Sequence, residues 1–417
     1  MKRVLLTILF LCSISINATE SRWWKGNLHT HSFWSDGDDF PEMITGWYKD
    51  NGYQFLAITD HNISHDTEKW MVVEEKRNRD IAYEKYLKRW GADWVESKTE
   101  GGGKTSVRLK KLSEYRPKFE RPGKFLLIQA EEITSRYLTS PIHLNASNLR
   151  YRIAPQTGDN VVDTLQKNID AVLAQEKETG QPMLPHINHP NFGWAITAEE
   201  LMQVRGEQFF EVYNGHPYVR NRGDKTHAGL ERVWDIVNTR RLTELKLPLM
   251  YGLATDDSHA YHKTGSKLSN TGRGWVMVRA SDLTPASLIN AMKRGDFYST
   301  TGVELASLEQ NAKQISLVVK ARAGVNYTIQ FIGTRKGFDS YHTPIRNAAG
   351  EKLRLTHRYS DDVGAVLKEV LGPKASYKFK GDELYVRAKV VSSVRQKNPI
   401  VEGDWEVAWT QPIRPGK

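Results

Sequence analysis

His29 and His31 stand two residues apart just after Trp23-Trp24, so on an extended segment both imidazoles point to one face. Asp36 follows within Ser35-Asp36-Gly37, Asp60-His61 closes Phe55-Leu-Ala-Ile-Thr59, and Glu131-Glu132 closes Phe125-Leu-Leu-Ile128. His143 lies in Pro141-Ile-His-Leu-Asn145, His186 and His189 bracket Ile187-Asn188, and Asp256-Asp257-Ser258-His259 closes Met250-Tyr-Gly-Leu-Ala254. A single histidine at a strand end is ordinary. The same class of donor recurring after strand after strand is a ligand set, and imidazole with carboxylate but no sulfur suits Zn, Mn or Fe. Gathering these groups without cations would leave buried charge unpaired, which is costly.

The elements that must position these residues alternate as in an α/β fold. Phe55–Thr59, Phe125–Ile128, Phe209–Tyr213, Met250–Ala254 and Gly274–Val278 read as buried strands, with helical spacing over Val161–Gln175 and Ser287–Arg294. In an (α/β) barrel the C-terminal strand ends converge on one mouth, where active sites are built. Between residues 66 and 122 the alternation breaks. Tyr83, Tyr86, Leu87 and Trp90 share a helical face there, so the segment reads as an inserted helical excursion. After Gly302 the apolar pattern has period two, at Ile315–Val319, Tyr327–Phe331, Glu383–Val390 and Trp405–Trp409. That fits a small β-sandwich.

Taken together, His29-Thr-His31, Ser35-Asp36-Gly37, Thr59-Asp60-His61, the Glu132 segment, His143, Asn188-His189-Pro190 and Asp257-Ser-His259 resemble the ordered motifs of the PHP (polymerase and histidinol phosphatase) superfamily. The resemblance spans roughly Lys25 to Val303. It implies a distorted (β/α)7 barrel over residues 19–302, interrupted by the helical insertion at 66–122 and followed by a β-sandwich-like domain at 303–417. It also implies two or three divalent metal ions (Zn, Mn or Fe) and hydrolysis of phosphomonoesters or phosphodiesters by a metal-bridged hydroxide. Carried over by position, His29 and His31 hold one metal with Asp257, and Glu132 rather than Glu131 bridges to a second held by His143 and His189. Asp36, His61 and His259 hold a third. Ala130 stands where the family's glycine is usual, and Asp36 where some members carry histidine. His186, His259 and Asp60 form the catalytic set, with His186 open between proton transfer, an outer position and core. Asp60 and Asp256 are expected to orient histidines. Asn214, His216 and Arg220, near the end of the Glu211-Val-Tyr-Asn segment, are the candidates for substrate contact.

Several function classes drop out. The 417-residue chain is 39% hydrophobic and 10% aromatic, enough to bury a core. Outside the first twenty residues no apolar run is long enough to cross a bilayer. Residues 1–18 have the basic start and apolar run of a secretory signal peptide, which predicts a periplasmic or secreted protein, with a lipoprotein the lesser alternative. The sole cysteine, Cys12, lies in that run, so the exported chain would carry no thiol nucleophile or Cys-ligated zinc. The net charge of +10 is spread along the chain, and no aromatic-basic groove marks nucleic-acid binding. No Gly-x-Ser-x-Gly elbow or Walker loop is present. The expected partner is a small or oligomeric phosphate ester. Two other readings stay open: a metal-dependent hydrolase of a non-phosphate bond, and a surface glycan- or partner-binding protein with an inactive barrel.

Overall fold

In the computed structural model, which describes residues 21–206 and 208–416, the buried runs join a single thirteen-stranded sheet. The signal peptide expected at 1–18 lies outside the described residues. From one edge the strands are Tyr251–Thr255, Phe209–Asn214, Leu184–Ile187, Ser140–Ser147, Leu126–Tyr137, Phe55–Ile58, Arg22–Asn27 and Trp275–Ala280. Phe297–Thr300, Trp405–Thr410, Glu383–Arg395, Tyr327–Arg335 and Ala365–Leu371 continue it.

The class is mixed α/β, but the backbone ladder is not that of a closed parallel barrel. Leu126–Tyr137 pairs antiparallel with Ser140–Ser147, which pairs antiparallel with Leu184–Ile187. Among the described residues no strand ladder closes Tyr251–Thr255 onto Arg22–Asn27; beyond their ends a single parallel bridge joins Ser258 to Thr30, with the His31 N–H donating to the Ser258 carbonyl (2.9 Å). Side chains serve the rest of that edge. Ser299 Oγ donates to the Gly252 carbonyl (2.7 Å) and accepts from the Ala254 amide (3.0 Å), and the Gln411 amide group accepts from the Gly252 amide (2.9 Å). The sheet therefore curls until its first strand meets Phe297–Thr300, with hydroxyl and amide groups satisfying the exposed backbone.

Helices cover the outer face. Val161–Thr179 starts at Asn160, whose side chain accepts from the Asp163 amide, and stops at Gly180 in the left-handed conformation. Its Leu165, Ile169 and Val172 enter a core shared with Ile187, Phe210 and Trp234. The helix Leu230–Arg240 also presents a buried carboxylate: Asp235 accepts from Arg387 Nε (2.9 Å) and Nη2 (2.7 Å) and from Tyr385 (2.8 Å). Beyond Gly302, the three-stranded sheet Leu305–Asn311, Gln314–Val319 and Lys374–Lys378 packs on the thirteen-stranded one through Leu317, Phe331 and Val390.

The excursion at 66–122 is not all helical. Beside the helices Arg79–Trp90 and Leu112–Phe119 it holds an antiparallel sheet of Lys69–Val72, Thr105–Leu109 and Ser97–Thr99. Ser97–Thr99 is exposed throughout, so it carries no apolar alternation to read.

Candidate metal centre

Strand alternation separates the two neighbouring glutamates. Glu132 faces the histidines; Glu131 faces the other way and accepts from the Ile153 amide (2.6 Å). Burial pushes the Glu131 carboxyl up to about 7. The two Glu132 oxygens look at different donors. Oε2 lies 3.5 Å from His29 Nε2, 3.2 Å from His31 Nε2 and 3.0 Å from His61 Nδ1. Oε1 lies 2.9 Å from His143 Nδ1 and 3.5 Å from His189 Nε2, and accepts from Asn188 Nδ2 at 2.7 Å. Asp257 Oδ1 is 3.2 Å from both His29 Nε2 and His31 Nε2. A separate group forms outside: Asp36 is 3.3 Å from His259 Nε2 and 3.6 Å from His61 Nε2. The structure thus brings His29, His31, Asp36, His61, Glu132, His143, His189, Asp257 and His259 into adjoining clusters able to hold metal ions.

These donors fit divalent cations. Separations of 3.2–3.5 Å are long for hydrogen bonds, yet they match the roughly 3.4 Å edge of a tetrahedron with ligands about 2.1 Å from its centre. His29 Nε2, His31 Nε2, Glu132 Oε2 and His143 Nδ1 are buried without a hydrogen-bond partner. Native proteins rarely leave such atoms unsatisfied.

The surroundings fix which nitrogen is free. His29 Nδ1 is 2.6 Å from Glu211 Oε1, which leaves Nε2 directed at Glu132 and Asp257. Glu211 also accepts from Thr255 Oγ1 (2.8 Å), the His189 amide (2.7 Å) and Asn214 Nδ2 (2.8 Å). His259 Nδ1 is 2.9 Å from the Asp257 carbonyl, so its Nε2 faces Asp36. His189 and Asp257 have φ of +23° and +48°, a left-handed conformation that non-glycine residues rarely adopt. Both are pinned, His189 by Glu211 and Asp257 by the His29 carbonyl (2.9 Å). A side-chain carbon on Gly37 would fall 2.5 Å from the His31 carbonyl, so the turn after His31 closes only with glycine there. Burial opposes charge throughout, but the ion pairs outweigh it. His61 is pushed up to about 11 by Glu132 and Asp36 and His31 to about 9 by Asp257 and Glu132, while Glu132 and Asp257 are held well below the usual carboxylate range.

Other residues singled out from the sequence lie elsewhere than expected. Asp60 orients none of the cluster histidines: it accepts from Ser32 N (2.8 Å), Ser32 Oγ (2.6 Å), Ser35 Oγ (2.5 Å) and His65 Nε2 (2.6 Å), holding the turn after His31. Asp256 accepts from Tyr48 (2.7 Å) and from the Gly272, Arg273 and Gly274 amides. It anchors a loop. His186 is fully buried, its Nε2 3.5 Å from Glu211 Oε1, behind His29 and out of reach of solvent. Asn214 is also fully buried, and its amide is spent on Glu211 and Asp257 Oδ2 (3.0 Å), so it braces a ligand instead of meeting substrate. His216 is half-buried, its ring 5.5 Å from that of His259, and burial pushes it down to about 4. Arg220 sits over the Trp194 ring at 5.2 Å.

No family model matches the chain, and no curated protein matches it. Among solved structures it is similar to a two-domain protein containing a predicted PHP-like metal-dependent phosphoesterase from Bacteroides vulgatus ATCC 8482, with 15% identity, TM-score 0.37, and 94% of this chain and 96% of that chain covered. It is similar to a candidate metal-dependent phosphoesterase from Bifidobacterium adolescentis ATCC 15703 (13%, 0.29, 58% and 91%). An amidohydrolase from Chromobacterium violaceum is matched at 12% identity and TM-score 0.32, over 59% and 90%. At these scores the chemistry of the site has to stand on its own residues.

Proposed function

We propose that this protein is an exported, multi-metal phosphoesterase of PHP type, acting on phosphomonoesters or phosphodiesters, and that its curled sheet is a barrel of that type left open at one seam. The observation that carries the metal reading is the carboxylate of Glu132, each of whose oxygens faces its own set of histidines. His29, His31 and Asp257 would hold one cation, His143 and His189 a second, and Asp36, His61 and His259 a third. Bound there, divalent cations would activate water near neutral pH and offset charge on a phosphoryl group.

Charge favours phosphate over an amide. With three dications bound, the ligating carboxylates Asp36, Glu132 and Asp257 and the ionised Glu211 beside His29 supply −4 against +6, while the histidines would bind neutral. The filled site is therefore positive, which suits a dianionic group better than a neutral one. The protein's own residues supply position: Glu211 holds His29 in one tautomer, Asn188 and Asn214 steady Glu132 and Asp257, and His216, neutral at pH 7, sits beside His259.

The test is hydrolysis of phenyl phosphate and of a bis-aryl phosphodiester by protein reconstituted with Mn or Zn, with Asp257→Ala as control. Turnover of either ester that disappears in the control supports the reading. Absence of turnover in protein shown to carry metal contradicts it.

A further inference from the structure

A hollow of about 490 Å³ opens beside His143, lined among others by Asn62, Thr134, Arg136, Leu138 and Thr157. Its size is that of a small-molecule subsite. We propose that it receives the leaving group of the substrate, and that it selects phosphate esters whose alcohol portion carries a second anionic group, bound by Arg136. This rests on the phosphoesterase reading above.

The strand Leu126–Tyr137 sets up the arrangement. Residues two apart share a face, so Glu132, Thr134 and Arg136 follow one another outward on the side that faces the histidines. The register agrees: Glu132 lies opposite Asn145, Thr134 opposite His143, and Arg136 opposite Pro141. Arg136 thus stands two residues, about 7 Å, beyond the Thr134–His143 pair. Thr134 Oγ1 is 2.5 Å from His61 Nδ1, which ties this row to the metal centre.

Most polar groups around the hollow are already engaged. Ser135 Oγ donates to the Gln156 carbonyl (2.6 Å), and the Asn62 amide donates to the Thr134 carbonyl (3.0 Å) while accepting from its N–H (2.8 Å). The Arg136 guanidinium has no hydrogen-bond or ion-pair partner among the described residues, and no aspartate or glutamate lines the hollow. The Arg136 side chain is exposed at the rim of a hollow that His143 also lines, so its guanidinium can receive an anion there. At the tip of the hairpin Leu138 is 77% exposed, with φ of +52°. A leucine held left-handed in solvent is strained, and it supplies an apolar edge against which the carbon skeleton of a leaving group can rest.

The test compares kcat/KM for phenyl phosphate and 4-carboxyphenyl phosphate in the metal-loaded full chain, in Arg136→Gln, Arg136→Lys and Arg220→Gln, with metal content measured in each. The intrinsic reactivity of the two esters is common to all four proteins, so changes in their ratio report binding of the carboxylate. Wild-type protein should favour the carboxylated ester, and Arg136→Gln should lower that ratio about tenfold, as expected for loss of a charge-assisted hydrogen bond. Arg136→Lys should keep part of it. A ratio unchanged in Arg136→Gln, or one that falls in Arg220→Gln instead, overturns the inference while leaving the phosphoesterase intact. Turnover of neither ester by the metal-loaded wild type overturns both.

Discussion

Glu211 accepts from Thr255, Asn214 and the His189 amide while lying 2.6 Å from His29 Nδ1, so one buried carboxylate sets both the tautomer of His29 and the backbone of His189. Glu211→Gln keeps the shape but lets His29 rotate or change tautomer. Metal affinity should fall about 10- to 100-fold, which competition with a chromophoric chelator would measure; unchanged affinity would remove Glu211 from this role. The histidine motifs were legible because they follow apolar runs, where side chains converge. Glu211 was not, because it lies inside one: Phe-Phe-Glu-Val-Tyr reads as a buried strand. Its signal was the charge itself, since a carboxylate buried in a strand must have partners. Asn214 differs from its sequence expectation for a related reason. Its place at a strand end suggests access to substrate, but its amide is consumed inside the protein.

Among the elements, the helix Leu230–Arg240 joins the histidine-bearing side of the sheet to its C-terminal strands through Asp235 and Arg387, which are almost wholly buried. Asp235→Ala would strand the Arg387 guanidinium without its main counter-charge and should destabilise the fold by about 3–5 kcal/mol, read as a shift of the denaturation midpoint. A change below about 1 kcal/mol would mean that water replaces the carboxylate. Four of the C-terminal strands were readable by period two, and the helices Arg79–Trp90, Val161–Thr179 and Pro285–Lys293 by their apolar faces, whereas Leu230–Arg240 and Pro41–Asp50 were not read. Ala365–Leu371 was not: it lies at the sheet edge, with Val366 52% and Leu371 79% exposed, so neither face shows a clean apolar pattern. The antiparallel turn of Ser140–Ser147 was equally hidden, because a short strand following a tight hairpin resembles the end of a loop.

Across the whole molecule, protons and metal ions compete for the same nitrogens. Without metal, His31 titrates near 9 and His61 near 11, so both are protonated at pH 7 and must lose those protons to ligate. Metal affinity should therefore rise with pH from 6 to 9, about tenfold per unit for each proton released. Titration calorimetry in buffers of different ionisation heats would count those protons; affinity independent of pH would contradict the assignment. If Glu132 joins adjacent metal sites, metal analysis by mass spectrometry after dialysis will show it. Wild-type protein and Glu131→Gln should retain more than one divalent cation per chain, and Glu132→Gln should lose at least one of them. Equal metal content in Glu132→Gln and wild type, or loss in Glu131→Gln instead, would mean that Glu132 does not join the sites.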